Sequence, residues 1–303
     1  LELLEQGDVD RALVELRNVF KLNGQHREAR LTYARVQRER GELSDAYSQY
    51  LRLVEQYPDD VEGRRALAEM AIEVNDWNEV ERHGREAARL NPDDPMTQMI
   101  VALLDYRSTM LAGNRSEAEP QVEKARALLE AHPEDKALSK MAYRVLIDYA
   151  ISGADPQSAM ATLDTAIALD PMQIEWQMIK LRLLVDKKDQ AAIGEHLSQM
   201  YEHFPENEEI RTILTAWYLD QRDMDGAEAF LRRLAEDTAK KGDAEATLQA
   251  RLTVVQFIQQ TKGAEAAIAE LDSLIAAETE NRVYKATRAA MVFDSGKQDE
   301  AIA

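Results

Sequence analysis

The sequence contains no cysteine, and this absence removes several kinds of chemistry at once. Without thiols the chain has no disulfide, no thiolate nucleophile and no cysteine ligand for a metal. Cysteine content does not decide the compartment, because cytosolic and exported proteins can both lack it. The localisation therefore stays open on this evidence.

Glycine, proline and strand signals are also scarce. The chain has 12 glycines and 8 prolines among 303 residues, and few runs of valine, isoleucine or threonine bounded by turn residues. Hydrophobic residues make up 45% of the sequence, which is enough to build a packed interior. This composition favours a packed, all-helical protein over a disordered one.

No apolar run is long enough to span a bilayer, so we expect no direct membrane insertion of this chain. The N-terminus carries no signal peptide. The chain starts at Leu1 without an initiator methionine and stops in QDEAIA, in both cases inside a helical pattern. We therefore expect a piece of a longer protein that is truncated at both ends.

Acidic residues outnumber basic ones, 56 to 37, and the formal net charge is −19. Such a surface repels phosphate backbones and anionic lipids. Nucleic acid and membrane surfaces are therefore not expected as partners.

The stretch from Glu28 to Pro58 shows an internal repeat with a period of 34 residues. It contains two helical patterns joined at Gly41, and Pro58 follows the second pattern. The same punctuation recurs 34 residues away, since Gly7, Ala12 and Leu16 precede Gly41, Ala46 and Tyr50, and Pro92 follows Pro58. This period and content predict stacked helix-turn-helix units.

The period changes after Pro92. Pro133 follows 41 residues later, with the surplus between Met110 and Pro120, and Pro171 follows after 38, with four extra residues near 152–156. We predict an all-α fold, a right-handed α-solenoid forming a single superhelix of about eight and a half repeats. The predicted repeats cover residues 1–25, 27–60, 61–94, 95–135, 136–173, 174–207, 208–245, 246–282 and 283–303.

At these positions the chain resembles the tetratricopeptide repeat (TPR) family. That family has small residues, large residues, a turn residue and a proline at fixed places in each repeat. In the second repeat these are Tyr33, Ala34, Gly41, Ala46, Tyr50 and Pro58, and in the fifth they are Ala159, Leu163, Ala166 and Pro171. The family's tryptophan near position 4 is absent throughout. The resemblance implies a scaffold for a protein or peptide, and the acidic, alanine-rich style indicates a bacterial protein, in the cytoplasm or periplasm.

No residue pattern supports catalysis, a cofactor or a metal site. His196 and His203 are seven residues apart on one predicted helix, about 10 Å along the axis, which is too far for one metal. We expect both to be surface residues. Asp223 and Asp225 precede Gly226 as in a calcium loop, but Gln221 and Arg232 would fill its first and last positions. Asp223 is therefore expected to begin a helix as its N-cap.

Binding is predicted on the first helix of each repeat, which lines the concave surface in this family. In repeats two and three the positions concerned are mostly charged, as in Arg35, Arg38, Arg65 and Glu69. Further along they become apolar with a few basic residues, and Val185, Ala216 and Leu219 continue this trend. The predicted peptide-binding residues are Met96, Met99, Leu103, Tyr106, Lys140, Arg144, Met178 and Arg182. The alternative is that these residues belong to the core, since Met and Leu at helical spacing are often buried.

The co-chaperone members of the family hold a C-terminal carboxylate with Lys and Asn on successive first helices. Here the corresponding positions carry Leu31, Thr32, Arg35, Arg65 and Ala66, so this clamp is not reproduced. The expected ligand of the predicted site is instead an amphipathic or extended peptide with acidic residues.

The sequence thus predicts a non-catalytic scaffold that binds a protein or peptide. An alternative is a self-association or assembly module of a larger exported or membrane-tethered protein. That module would act through exposed terminal repeats, giving a homo-oligomer, or through the insertion at 110–120. An enzymatic or regulatory role would need a catalytic domain outside this chain.

Overall fold

The computed structural model describes residues 2–296, and these residues form helices and connecting turns with no β-strand among them. The end of the predicted ninth repeat, residues 297–303, lies outside the described part, as does Leu1. The chain divides into two compact units, residues 1–176 and 177–303. The predicted all-α fold class of stacked helix-turn-helix units is confirmed. The sequence-based repeat boundaries, and their union in one superhelix, stay predictions.

The first unit contains ten helices within its described residues. They are α1 (Glu2–Glu5), α2 (Val9–Leu22), α3 (Arg27–Glu39), α4 (Leu43–Gln56), α5 (Val61–Glu73), α6 (Trp77–Leu90), α7 (Pro95–Leu111), α8 (Glu119–Ala131), α9 (Lys136–Ser152) and α10 (Pro156–Leu169). A short 3₁₀ helix, Arg115–Ala118, precedes α8. From α3 onward these helices form consecutive antiparallel pairs, each with a first and a second helix.

The second unit continues the same alternation. Its helices are α11 (Ile174–Lys187, whose first three residues belong to the first unit), α12 (Gln190–His203), α13 (Glu208–Asp220), α14 (Met224–Lys240), α15 (Ala244–Lys262), α16 (Ala264–Ala277) and α17 (Arg282–Asp294). No helix within residues 2–296 has the length and apolar content needed to cross a membrane.

Aspartate and asparagine begin most of the helices. Asp60 accepts a hydrogen bond from the Gly63 amide at 2.8 Å, and Asp94 accepts one from the Thr97 amide at 2.9 Å. Asp223 does the same for the Gly226 amide at 2.8 Å, which confirms its predicted role as an N-cap. A side-chain acceptor satisfies one of the free amides at a helix start. Part of the acidic excess is therefore structural.

The turn inside each helix pair contains one residue in the left-handed region. These residues are Gly7, Gly41, Asn75, Gly113, Ala154, Lys188, Arg222 and Gly263. Glycine adopts this conformation without steric cost, whereas a non-glycine residue there is disfavoured by about 1–2 kcal/mol. These residues supply a backbone register with which equivalent positions in different first helices can be compared.

Alanines at the helix crossings are buried, as expected for close contacts between helices. Ala46 and Ala159 have no exposed surface, and Ala12 is also buried. In the first unit Ala46 packs in a cluster with Tyr50, Leu53 and Leu67. The stacked hairpins thereby bury the apolar faces that one hairpin alone would leave exposed.

The irregular repeats gain their extra residues mainly as additional helix. Both α7 and α9 have 17 residues, whereas α5 has 13, so each is longer by about one turn. The surplus that the sequence placed near 152–156 therefore lies within α9. The rest of the insertion between Met110 and Pro120 is the 3₁₀ helix, which is folded against the end of α9.

Arg115 fastens this 3₁₀ helix. Its guanidinium donates to the carbonyl oxygen of Tyr149 at 3.0 Å and to Ser152 Oγ at 3.2 Å. It also lies 3.9 Å from the ring centroid of Tyr149. A cation at a helix C-terminus satisfies free carbonyl groups and interacts favourably with the helix dipole.

The Arg115→Ala substitution is expected to lower the free energy of unfolding by about 1–2 kcal/mol, because charge-assisted hydrogen bonds and a cation–π contact are lost. Hydrogen exchange should show faster opening of the last turn of α9. Arg126→Ala is the control, since Arg126 is exposed and pairs only with Glu123 one turn away. Equal effects of the two substitutions would contradict the anchoring role.

Candidate functional site

Four of the eight predicted binding residues belong to the interior of the first unit. Met96, Met99, Leu103 and Tyr106 are all buried, and Met99 is 0% exposed. They lie on α7, which packs against α5, α6, α8 and α9. Their neighbours in this cluster include Val122, Leu138 and Val145. A partner could not reach these side chains without opening the core, so the binding role predicted for them is replaced by a packing role.

Tyr106 has a further structural role at the contact of α7 with α9. Its hydroxyl donates to Asp148 Oδ2 at 2.6 Å. Burial, together with this hydrogen bond and the negative charge of Asp148, raises the pKa of Tyr106 well above its usual range. The phenol therefore stays protonated and acts as a hydrogen-bond donor between the two helices.

Lys140 and Arg144 lie on α9 and are exposed. The Nζ of Lys140 forms an ion pair with Asp170 at 2.6 Å, which connects α9 to the end of α10. Arg144 donates to Asn75 Oδ1 at 2.7 Å, and its guanidinium carbon is 5.1 Å from the ring centroid of Trp77. Lys140 is thus already paired within the chain, whereas Arg144 makes no ion pair among residues 2–296.

The remaining two predicted residues lie on α11, where Met178 is half-buried and Arg182 is exposed. In the backbone register they are ten and six residues before the left-handed Lys188. Val185 is three residues before Lys188, and Leu219 has the same place before Arg222 at the end of α13. Val185 is 52% exposed and Leu219 is 42% exposed. Two exposed apolar side chains therefore occupy equivalent places on consecutive first helices.

The corresponding face of α3 and α5 is charged, as expected, and its charges pair with one another. Arg38 binds Glu69 at 2.7 Å and Glu73 at 3.0 Å, and Arg35 binds Glu62. Arg65 continues the row, with Glu69 at 3.4 Å and Asp94 at 3.3 Å. These residues line a depression of about 410 Å³. Ionic contacts within the chain already satisfy its charged groups.

The histidine prediction is half right. His203 is exposed, but His196 is buried, and its Nε2 donates to the carbonyl oxygen of Gln177 at 2.9 Å. The sequence did not show that a polar residue beside Leu197 would face inward. Over residues 2–296 no group of three or more His, Asp or Glu side chains is arranged to hold a metal ion.

Arg107 and Trp77 are notable surface residues that the sequence did not single out. Arg107 is half-buried on α7, and its guanidinium carbon is 4.5 Å from the ring centroid of Trp77, at the start of α6. Arg107 and Arg144 therefore both contact one indole ring. Arg107 directly follows the predicted position of Tyr106, but no pattern in the sequence connects it to Trp77 in the preceding repeat.

Together the paired helices, their left-handed turns and the surfaces of their first helices define a helical-repeat protein of the protein-binding type. A tetratricopeptide repeat family model matches residues 3–70. The family indicated by the sequence is confirmed, and the chain is a tetratricopeptide repeat protein. Comparison with curated proteins gives no match.

Several solved structures share the fold at low sequence identity. The Cut9–Hcn1 hetero-tetramer of the APC/C matches with a TM-score of 0.54 and 15% identity, over 82% of this chain and 47% of that one. A tetratricopeptide repeat protein from Parabacteroides merdae matches with a TM-score of 0.51 and 13% identity, over 84% of this chain and 94% of that one. PilW, a type IV pilus biogenesis factor, matches with a TM-score of 0.50 and 17% identity, over 70% and 94%.

These likenesses show the fold alone. This chain spans about half of the Cut9–Hcn1 chain and nearly all of the other two. Tetratricopeptide repeats generally form non-catalytic scaffolds for protein–protein interaction. The partner and the surface that binds it have to be argued from this chain's own residues.

Proposed function

We propose that the chain is a non-catalytic scaffold that binds a protein or peptide partner on the first helices of its second unit. The proposed surface, which we call the uncharged face, lies on α11 and α13. Its members are Met178, Arg182, Val185, Thr212, Ala216 and Leu219. Arg182 is the only charged residue among them. The observation that carries the proposal is the exposure of Val185 and Leu219 at equivalent backbone positions.

Single exposed apolar residues are common on protein surfaces and need no explanation. The uncharged face differs because its exposed apolar residues recur at the repeat period. Stacked repeats place equivalent positions of consecutive first helices side by side, so Val185 and Leu219 would contribute to one patch. Burial of such a patch by a partner would remove apolar surface from water. The same face of α3 and α5 offers no comparable gain, because its charges are already paired.

The proposal predicts that Val185→Lys combined with Leu219→Lys will abolish partner binding while leaving the fold intact, because both side chains are exposed. Partners can be captured from extracts of the source cells with tagged wild-type and variant proteins and quantified by mass spectrometry. The partner recovered with the wild type should fall by about tenfold or more with the double variant. A photo-crosslinking residue at position 185 should attach to the same partner.

The matched control combines Leu43→Lys with Met172→Lys. Both residues are exposed apolar side chains of the first unit, at 45% and 58%, so the change in charge and polarity is the same. Recovery should stay at the wild-type level for this control. Equal recovery with the Val185/Leu219 variant, or equal loss with the control, would contradict the uncharged face as the binding surface.

Self-association is the second candidate function, and the last described helix favours it. Val283 and Phe293 on α17 are exposed apolar residues at the end of the described stack. An open face of a terminal repeat can pair with a second copy. Light scattering at high protein concentration tests this candidate. A dimer that Phe293→Glu converts to a monomer would support it, and a wild-type monomer would contradict it.

A further inference from the structure

Trp77 is the centre of a cluster in which three repeats of the first unit meet. The indole belongs to the start of α6, Arg107 to α7 and Arg144 to α9. The two guanidinium carbons are 4.5 and 5.1 Å from the ring centroid. Asn75, in the turn before Trp77, holds Arg144 by the hydrogen bond at 2.7 Å. We call this cluster the arginine–tryptophan site.

The charges of this site are not balanced by the chain itself. Among residues 2–296 no carboxylate lies within ion-pair distance of Arg107 or Arg144, although the chain carries a net charge of −19. The arginines on the preceding first helices behave differently, since Arg35, Arg38 and Arg65 all bind carboxylates. Arg107 is six residues before the left-handed Gly113, and Glu69 is six residues before Asn75. At equivalent positions an acidic residue on α5 is thus replaced by a basic one on α7.

The two cations also act on each other. Arg144 is exposed as a residue, but partial burial of its guanidinium lowers its pKa. Asp148 raises that pKa and the positive charge of Arg107 lowers it again. Asp148 already accepts the hydroxyl proton of Tyr106 in a hydrogen bond. An anion placed between the guanidiniums would relieve their mutual repulsion and gain charge-assisted hydrogen bonds.

We propose that Arg107 and Arg144, held against Trp77, bind a side-chain carboxylate of an acidic peptide segment. Guanidinium groups suit a carboxylate because their donors match its two oxygens in a fork. The indole keeps both arginines extended, so that less side-chain freedom is lost when the ligand binds. A carboxylate on a peptide is favoured over nucleic acid, because the acidic surface around the site repels a long phosphate backbone.

This site lies in the first unit and goes beyond the proposed function, which concerns the second unit. It also differs from the co-chaperone clamp, whose positions on α3 and α5 carry Leu31, Thr32, Arg35, Arg65 and Ala66. The ligand is held here by two arginines on an aromatic ring. The specificity expected is for glutamate or aspartate within a chain.

The test uses a short fluorescein-labelled peptide in which glutamate alternates with alanine, and a second peptide with glutamine in place of glutamate. Fluorescence anisotropy should show binding of the glutamate peptide to the whole chain and no binding of the glutamine peptide. Arg107→Gln and Arg144→Gln should each weaken the affinity by about tenfold or more, since each removes one charged donor. Higher salt should weaken binding in the wild type.

Arg52→Gln is the matched control. Arg52 is exposed, belongs to the same unit and has no carboxylate at ion-pair distance among the described residues, so the substitution makes the same change in net charge. It should change the affinity by less than about twofold. Arg144→Lys keeps the charge but loses the fork. It should weaken binding even if Arg144→Gln disturbs the fold, which circular dichroism will show.

Four outcomes would overturn the proposal. They are absence of binding to the wild type, equal binding of the glutamine peptide, equal weakening by Arg52→Gln, and tighter binding of a phosphoserine peptide or an oligonucleotide than of the glutamate peptide. The Val185→Lys/Leu219→Lys variant should bind the glutamate peptide normally. The two proposals can therefore fail independently.

Discussion

Replacing Met99 by alanine is expected to cost about 2–5 kcal/mol of stability, the usual range for emptying a fully buried position. Met99 is 0% exposed and belongs to the interior cluster of the first unit. The surrounding helices α5, α6, α8 and α9 contact α7 and cannot all move inward, so a cavity remains. Urea denaturation should show the loss, and hydrogen exchange should place it in α7.

Met172→Ala is the control for this prediction. Met172 is the same residue type, but it lies in the loop before α11 and is 58% exposed. Its substitution should change stability by less than about 0.5 kcal/mol. If Met99→Ala left the stability unchanged and instead weakened binding of a partner, Met99 would be a binding residue and its placement in the core would be wrong.

Gly194→Ala is expected to cost about 1–3 kcal/mol, because the new methyl group would overlap Trp217. A Cβ atom on Gly194 would lie 2.3 Å from both Cη2 and Cζ2 of the Trp217 ring. Gly194 is buried on α12 and Trp217 lies on α13, so the contact sets the approach of these two helices. The melting temperature should fall, and the tryptophan emission should shift as the ring is displaced.

Two further variants test the cause of this effect. Gly24→Ala makes the same change where the nearest atom is 3.7 Å away, so we expect it to be neutral or slightly stabilising. Gly194→Ala combined with Trp217→Phe removes the clashing ring atoms. It should cost less than the sum of the single substitutions. Simple additivity would contradict a direct clash.

The repeat organisation could be predicted in detail because its signals act over short distances. Gly41 and Asn75 are in the left-handed turns, and Ala46 is buried at a crossing. Asp223 is an N-cap and not a calcium ligand. Each of these features depends on a few adjacent residues. The extra turn of α9 was placed too late, because Gly153 and Pro156 attracted the irregularity to the turn while the helical pattern before them continued.

The predicted site was less successful, and α7 shows why. Met96, Met99, Leu103 and Tyr106 share one side of a helix, as their spacing indicates, but spacing does not tell what covers that side. In the structure α7 is packed by four other helices. Arg144 and Arg182 remain on the surface because a long charged side chain keeps its head in water.

The sequence by itself determined the helices, the turns, the caps and the family, because local backbone preferences and the period of apolar residues are written along the chain. Only the tertiary structure decided which faces stay open. It brought Arg107 and Arg144 to Trp77, which is 30 and 67 residues away in the chain. It also separated them from any carboxylate among the described residues that could neutralise them. Such contacts depend on how whole repeats pack, and packing is a property of several helices at once.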